Sequence, residues 1–244
     1  MEKEKGAVYL IPTFLSDVPF DSVMAPRVRD EIRRISYFAV ENEKTARRYI
    51  KKVVPEKDIS SLVFYPIGKH SDDAMISSYL APCLQGHDLG VISEAGVPAV
   101  ADPGALVVER AHGMGIRVIP LCGPSSVLMG LMASGLSGQC FAFNGYLPVD
   151  KAGRRARLRE LEALSLKNSQ AQIFIETPYR NVQMFDDILS SCASHTSLCV
   201  ASDITGPDEY IRTMTVAGWK SSGVRPDIHK KPTVFIIQQK GVKK

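Results

Sequence analysis

Apolar residues in the first half of the chain fall in short, β-branched runs separated by longer stretches with helical spacing. The runs at residues 7–11, 37–40, 62–65, 89–92 and 116–121 each predict a buried strand. The intervening patterns predict helices over residues 26–34, 43–54, 72–84, 105–112 and 125–133, with Pro55 stopping the second. Strand and helix in strict alternation predict a mostly parallel sheet with helices on both faces. The strands read as near-continuous apolar runs, as such covering requires.

Residues 134–138, SGLSG, read as a flexible break. Beyond it strands are expected at 140–143, 173–175, 198–201, 210–216 and 233–238, with helices at 154–164 and 182–190. The last three strands follow one another with little helix between them, which predicts a mixed sheet. Two α/β domains are therefore expected, residues 1–133 and 139–244.

The length of 244 residues suits that division. Hydrophobic residues at 45% against 23% charged exclude a disordered chain. The net charge of +4 does not by itself call for a nucleic-acid partner, so the clustering of cations matters more than their excess. Five scattered cysteines, with no CxxC pair, offer neither metal-ligand spacing nor a disulfide scaffold, and no metal is expected. The charged start, MEKEK, lacks the apolar core of a signal peptide, and no run approaches ~18 apolar residues. A cytoplasmic protein without membrane contact is expected.

In an open α/β sheet ligands bind beyond the carboxyl ends of the strands. Those ends carry Pro12-Thr13-Phe14, Glu41-Asn42, Pro66-Ile67-Gly68-Lys69, Ser93-Glu94-Ala95-Gly96-Val97-Pro98 and Cys122-Gly123-Pro124-Ser125-Ser126. Gly, Pro and small hydroxyl residues let a backbone approach a ligand closely, although ordinary turns use the same residues. Neither a GxGxxG after the first strand nor a GxxxxGK[ST] loop is present, which removes the main support for dinucleotide oxidoreductases and P-loop phosphotransferases. The segment 93–104, SEAGVPAVADPG, is the strongest local signal. Its Asp102 reads first as a cap for the helix that begins near Gly104, and then as a ligand contact. Residues 151–159, KAGRRARLR, concentrate five cations: Lys151, Arg154, Arg155, Arg157 and Arg159. Such a cluster either neutralises phosphates or forms a solvated face balanced by Glu160 and Glu162.

SEAGVPAVADPG, GIRVIPLCGPSS, FAFNGYLP with GRR a few residues on, and FIETPYR together resemble the tetrapyrrole-methylase superfamily. Within it they are most similar to the branch that methylates a cytidine ribose 2′-hydroxyl in small-subunit ribosomal RNA. The likeness runs in order over nearly the whole chain. It implies two α/β domains with S-adenosylmethionine bound in the cleft between them, usually in a homodimer, and a ribosomal RNA or small-subunit partner. It maps cofactor contacts onto Pro12, onto Ser93, Glu94, Ala95, Gly96 and Val97, and onto Gly123, Ser125 and Ser126. In the second domain it maps them onto Ile175, Glu176, Ala201, Ser202, Pro232, Thr233 and Val234. The Gly-Arg-Arg element recurs in that branch, which favours RNA as the partner of the basic run.

The chain departs from the branch on the acceptor side. Pro12-Thr13-Phe14-Leu15-Ser16-Asp17 stands where Pro-Thr-Pro-Ile-Gly-Asn is usual. Glu41-Asn42-Glu43-Lys44 replaces Glu-Asp-Thr-Arg, and Ser202-Asp203-Ile204-Thr205-Gly206 replaces Arg-Glu-Leu-Thr-Lys. A tetrapyrrole or other small molecule as acceptor, or a non-catalytic relative, therefore stand as alternatives. A hydroxyl acceptor needs its proton removed, and Glu41, Lys69, Glu94 and Asp102 are the candidates at the strand ends, with Glu176 on the second domain's side.

Overall fold

The first five apolar runs form strands β1 (Ala7–Ile11), β2 (Tyr37–Val40), β3 (Val63–Pro66), β4 (Leu89–Ile92) and β5 (Arg117–Pro120) in a computed structural model that describes residues 4–68 and 70–239. They pair in the order β3-β2-β4-β1-β5, all parallel. Between them lie α1 (Phe20–Val23), α2 (Pro26–Arg34), α3 (Glu43–Val53), α4 (Asp73–Tyr79), α5 (Ala81–Leu84) and α6 (Gly104–Gly113). Connections leaving β1 and β2 run one way along the sheet and those leaving β3 and β4 the other. Right-handed crossovers then place the two helix sets on opposite faces. Alternation along the strands matches: Ile11, Phe38 and Ile92 pack with Phe20, Val28, Ile32 and Ile50, while Val8, Ala39 and Val91 pack with Ile76, Leu80, Val107 and Ala111.

The helix expected over 72–84 is broken. It starts where Asp72 accepts a hydrogen bond from the Met75 amide at 2.8 Å, and its first piece ends at Leu80. Pro82, which has no amide hydrogen to give, then sits in the separate turn of α5.

The chain divides into two units, Met1–Ser125 and Ser126–Lys244. The second contains α7 (Ser126–Ser134), β6 (Phe141–Tyr146), α8 (Lys151–Asn168), β7 (Ala171–Ile175), α9 (Asn181–Ser191), β8 (Ser197–Ser202), β9 (Tyr210–Thr215), α10 (Val216–Ser222) and β10 (Thr233–Gln238). Its sheet runs β6-β7-β10-β8-β9, parallel only between β6 and β7, and so is mixed as expected. Helices α8, α9 and α10 cover one face through Leu158, Leu161, Phe185, Ile188 and Trp219 over Phe174, Val200, Phe235 and Ile237. The helix α7, expected to close the first domain, instead lies on the other face of this second sheet. Gly130 brings it there: a methyl at that position would stand 3.5 Å from the Ala201 Cβ and 3.6 Å from a Val234 methyl. The division consequently falls at Ser125, before α7, and not in the SGLSG segment behind it.

The strand expected to run through Val216 stops at Thr215, whose hydroxyl caps α10 by accepting from the Gly218 amide at 3.0 Å. This helix delivers Trp219, 1% exposed, whose indole nitrogen donates to the Leu198 carbonyl at 3.0 Å.

Gly90 sits at the centre of the first sheet, where an added Cβ would meet Ile11 Cδ1 and Phe38 Cδ1, both at 2.8 Å. Gly90→Ala is expected to cost about 1–3 kcal/mol, read as a lower midpoint in urea unfolding at unchanged slope.

Candidate functional site

Three strand ends of the first unit meet. After β1 the Thr13 amide donates to the Gly96 carbonyl at 2.8 Å, which ties the first strand's exit to the loop after β4. The Ser93 hydroxyl donates to the same carbonyl at 2.7 Å and lies 3.4 Å from the Thr13 hydroxyl. The loop after β5 closes the group: a Cβ on Gly123 would collide with the Pro12 ring, and one on Gly96 would lie 3.2 Å from the Pro124 carbonyl oxygen. Gly96 also has φ +73°, a conformation that other residues adopt at a cost. Pro12, Ser93, Gly96 and Gly123 are thus brought together. Ser125 and Ser126 straddle the division between the units.

Carboxylates gather beside these loops. The carboxyl of Glu41, directly after β2, is held above its ordinary pKa, first by partial loss of solvent and then by the Asp102 and Glu94 charges. Glu94 is exposed and accepts from the Thr45 hydroxyl at 2.5 Å. Asp102 accepts from the Ala99 amide at 2.9 Å and from the Gly104 amide, at the start of α6, at 2.7 Å. Pro103 holds the cap position of α6, and Asp102, one residue before it, satisfies the first helical amide. These bonds also pin a loop in which Ala99 and Ala101 both have positive φ, 65° and 63°. Burial raises the Asp102 pKa, and the two amides oppose that rise. Lys69, the remaining candidate, lies outside the described residues.

A cavity of about 220 Å³ opens next to this group. Its walls are Thr13 and Phe14 after β1, Ile92, Ser93 and Glu94 at the end of β4, and one stripe of α3 with Thr45, Ala46, Arg48, Tyr49 and Lys52. Tyr49 is fixed by a 2.6 Å hydrogen bond to the Pro12 carbonyl and meets the Phe14 ring edge-on, with centroids 5.6 Å apart. No motif marks this stripe in the amino-acid order; its one signal there is the spacing of Thr45, Arg48, Tyr49 and Lys52 on a helix that faces strand ends.

Within the second unit, the residues taken as cofactor contacts also adjoin one another. Val234 pairs with Ile175 on one side and Ala201 on the other, and Thr233 pairs with Ser202, their hydroxyls 2.9 Å apart. The Glu176 side chain is fully buried. One oxygen accepts from Arg180 at 2.7 Å and from the Thr177 amide at 2.6 Å, while Oε2, together with Arg180 Nε and Asn181 Oδ1, has no partner among the described residues.

Similar structures decide the architecture. The methyltransferase CobJ superposes with a TM-score of 0.61 at 16% identity, covering 96% of this chain and 94% of that one. The cobalt precorrin-4 methyltransferase CbiF gives 0.57 at 14%, over 95% and 94%. This is the tetrapyrrole-methylase fold. A third structure with it, uroporphyrin-III C-methyltransferase from Thermus thermophilus complexed with S-adenosyl homocysteine, gives 0.53 at 16%, over 96% and 98%.

Sequence relatives carry a different name, ribosomal RNA small subunit methyltransferase I. The Vibrio cholerae protein is 28% identical over 230 residues, 94% of this chain and 76% of the relative. That of Escherichia coli O157:H7 is 25% identical over 99% of this chain and 80% of its own length. That of Halalkalibacterium halodurans is 33% identical over 80% of this chain and 64% of its own length. No family model matches the chain. The resemblance read from the sequence agrees with both findings: the fold is the one seen in tetrapyrrole methyltransferases, and the sequence relatives are named as ribosomal RNA small subunit methyltransferases. Among the described residues no group of His, Cys, Asp and Glu could hold a metal ion, and no helix is long and apolar enough to cross a membrane.

The basic run, which opens α8, divides on inspection. Arg154 is 4% exposed, so the reading of it as an RNA contact is corrected. Its Nε and Nη2 donate to Asp187 Oδ2 at 2.8 and 2.6 Å, and its Nη1 donates to the Val149 carbonyl at 2.7 Å. Arg155 donates to the other oxygen of Asp187 at 2.7 Å. Burial alone would raise the Asp187 pKa, yet hydrogen bonds from Arg155 and Arg154 hold it below its ordinary value. Arg157 pairs with Glu160 at 2.7 Å, and only Lys151 and Arg159 of the five are fully on the surface. Arg154→Ala removes both donors from Asp187 Oδ2 and leaves Arg155 alone on that buried carboxylate, and is expected to cost about 3 kcal/mol, the lower end for a broken buried pair. Arg159→Ala should stay within about 0.5 kcal/mol of the parent. Thermal and urea unfolding of the two variants check this; equal stabilities would show that the Arg154–Asp187 contact anchors nothing.

Proposed function

We propose that this chain is an S-adenosylmethionine-dependent methyltransferase whose acceptor is a ribose hydroxyl of small-subunit ribosomal RNA. The observation that carries the reading is the meeting of the β1, β4 and β5 exits around Gly96 and Gly123. This group of exits, drawn together by two positions without side chains, lies at the carboxyl ends of the strands, where open α/β sheets bind nucleoside-type ligands. The buried, unpartnered Oε2 of Glu176 supports the second set of contacts that the resemblance assigns to Ile175, Glu176, Ala201, Ser202, Pro232, Thr233 and Val234. Bound S-adenosylmethionine supplies an activated sulfonium methyl. The chain's own part is to hold the hydroxyl oxygen in line with that methyl and to take the hydroxyl proton. Alignment of this kind is worth ~7–11 kcal/mol.

We assign the proton to Glu41. It stands directly after β2 with its pKa raised by partial burial and the neighbouring carboxylates, whereas Asp102 is occupied by two amides and Glu94 by Thr45. The remaining parts of the proposal are the cytoplasm as compartment and a homodimer as the working form. For the latter, the second unit exposes Met132, Tyr146, Val149 and Tyr179.

Calorimetry with S-adenosylmethionine tests the cofactor, and Gly123→Ala should abolish the binding while the protein stays folded. Methylation is tested on small subunits from cells lacking the protein, where transfer to a tetrapyrrole precursor instead would redirect the acceptor. Glu41→Gln should lower turnover by about 10²-fold or more and remove the acid limb of the pH–rate profile. A carboxyl with a raised folded-state pKa stabilises the fold only while protonated, and that contribution is lost as pH rises through the raised value. Glu41→Gln should therefore melt no lower than the parent at neutral pH. A variant that keeps its acid limb and full turnover would remove Glu41 from this role.

A further inference from the structure

The cavity beside the strand ends carries two cations, Arg48 and Lys52, that the cofactor reading does not use. Its floor is apolar, with Phe14, Ala46 and Ile92, and one side carries the Glu94 carboxylate. The α3 wall carries two cations four residues apart, Arg48 and Lys52, which the helix therefore sets side by side. Neighbouring cations of the helix are occupied: Arg47 pairs with Glu43 at 2.7 Å, and Lys51 donates to the Lys57 carbonyl at 3.3 Å. Arg48 has no hydrogen-bond or ion-pair partner among the described residues. Lys52 lies 4.5 Å above the Phe14 ring and pairs with Asp17, whose side chain is 94% exposed. So exposed a partner is screened by water and easily displaced by a stronger anion.

The size narrows the ligand. At about 220 Å³ the cavity falls below the ~300–1,000 Å³ that enclose drug-sized molecules. One ring with one phosphate is nearer to that size than a macrocycle of four pyrroles. We infer that this cavity seats a single nucleotide of the acceptor RNA strand, its phosphate between Arg48 and Lys52 and its ring or sugar over Phe14. Arginine offers forked donors that match a phosphate's oxygens, and lysine adds a point charge. Glu94 and Glu41 then stand on the hydroxyl side of the same nucleotide. The inference rests on the RNA reading above and gives that site a phosphate-binding wall. Its position also bears on the departures from the ribosomal branch, because Phe14 is one of the exchanged residues and Arg48 follows the exchanged Glu43-Lys44.

The test is fluorescence anisotropy of the full chain with a labelled, single-stranded RNA carrying small-subunit sequence, across 50–200 mM salt. Calorimetry with S-adenosylmethionine runs in parallel as a check of folding. Arg48→Ala with Lys52→Ala should bind the RNA about tenfold more weakly and reduce the slope of log K against log salt by about 0.7, one phosphate's worth. Cofactor affinity should be unchanged, and Lys167→Ala at the far end of α8 should leave both measurements unaltered. Cytidine 5′-monophosphate should displace RNA from the parent protein, and cytidine should not do so at the same concentration. If the parent binds RNA and the double variant matches it in affinity and slope, the cavity is not the phosphate seat, and the RNA reading survives without it. If the parent binds the cofactor but no RNA, the RNA reading falls and takes this inference with it.

Discussion

Pro12 and Gly123 touch backbone to ring, and the candidate site is arranged around that contact. Strand β1 pairs with β4 on one side and β5 on the other, so the chain leaving β1 must pass between two neighbouring exits. Any side chain at position 123 would push the β5 exit away from Pro12. The Thr13–Gly96 hydrogen bond holds the opposite flank. Parallel register supplies the convergence, and missing side chains make it close enough to be useful.

Charge is handled in two ways. The buried Arg154 and Asp187 satisfy each other, with Arg155 on the second carboxylate oxygen, because an unpaired buried charge is costly. Two other charged groups are left under-satisfied where a ligand is proposed. Glu176 Oε2 is the buried example in the second unit, and Arg48 is the solvent-facing one in the first. The two alanines with positive φ beside Asp102 fit the same division, since strain of that kind is retained where surrounding bonds enforce it.

Much of this was legible in the amino-acid order. Strands announce themselves as unbroken apolar runs because both sheet faces are covered, and all five of the first sheet fall within a residue or so of their expected places. What the order hides is partnership. Helix α7 is visible as a helix, but nothing local says which sheet it covers, because that depends on Gly130 meeting Ala201 and Val234 across a long stretch of chain. Arg154 reads as one more surface cation until Asp187, in a different helix, is found against it. Val216 looks like the end of a strand because α10 is short and opens on a β-branched residue. At the site, the glycine- and proline-rich strand ends were legible as a group. The α3 stripe was not, since its residues are unremarkable until the helix turns them toward β1 and β4.

Strand β10 comes last in order, yet it occupies the middle of its sheet, bonded to β7 on one edge and β8 on the other, with all six residues buried. During synthesis the first unit's sheet, whose strands are all complete by Pro120, has every strand it needs while much of the chain is still to be made. The second sheet has no such freedom. Until residues 233–238 leave the ribosome, β7 and β8 lack the strand that joins them. The nascent second unit is for that interval a natural client for chaperones, and premature termination upstream of β10 would yield an aggregation-prone fragment and not a smaller working protein.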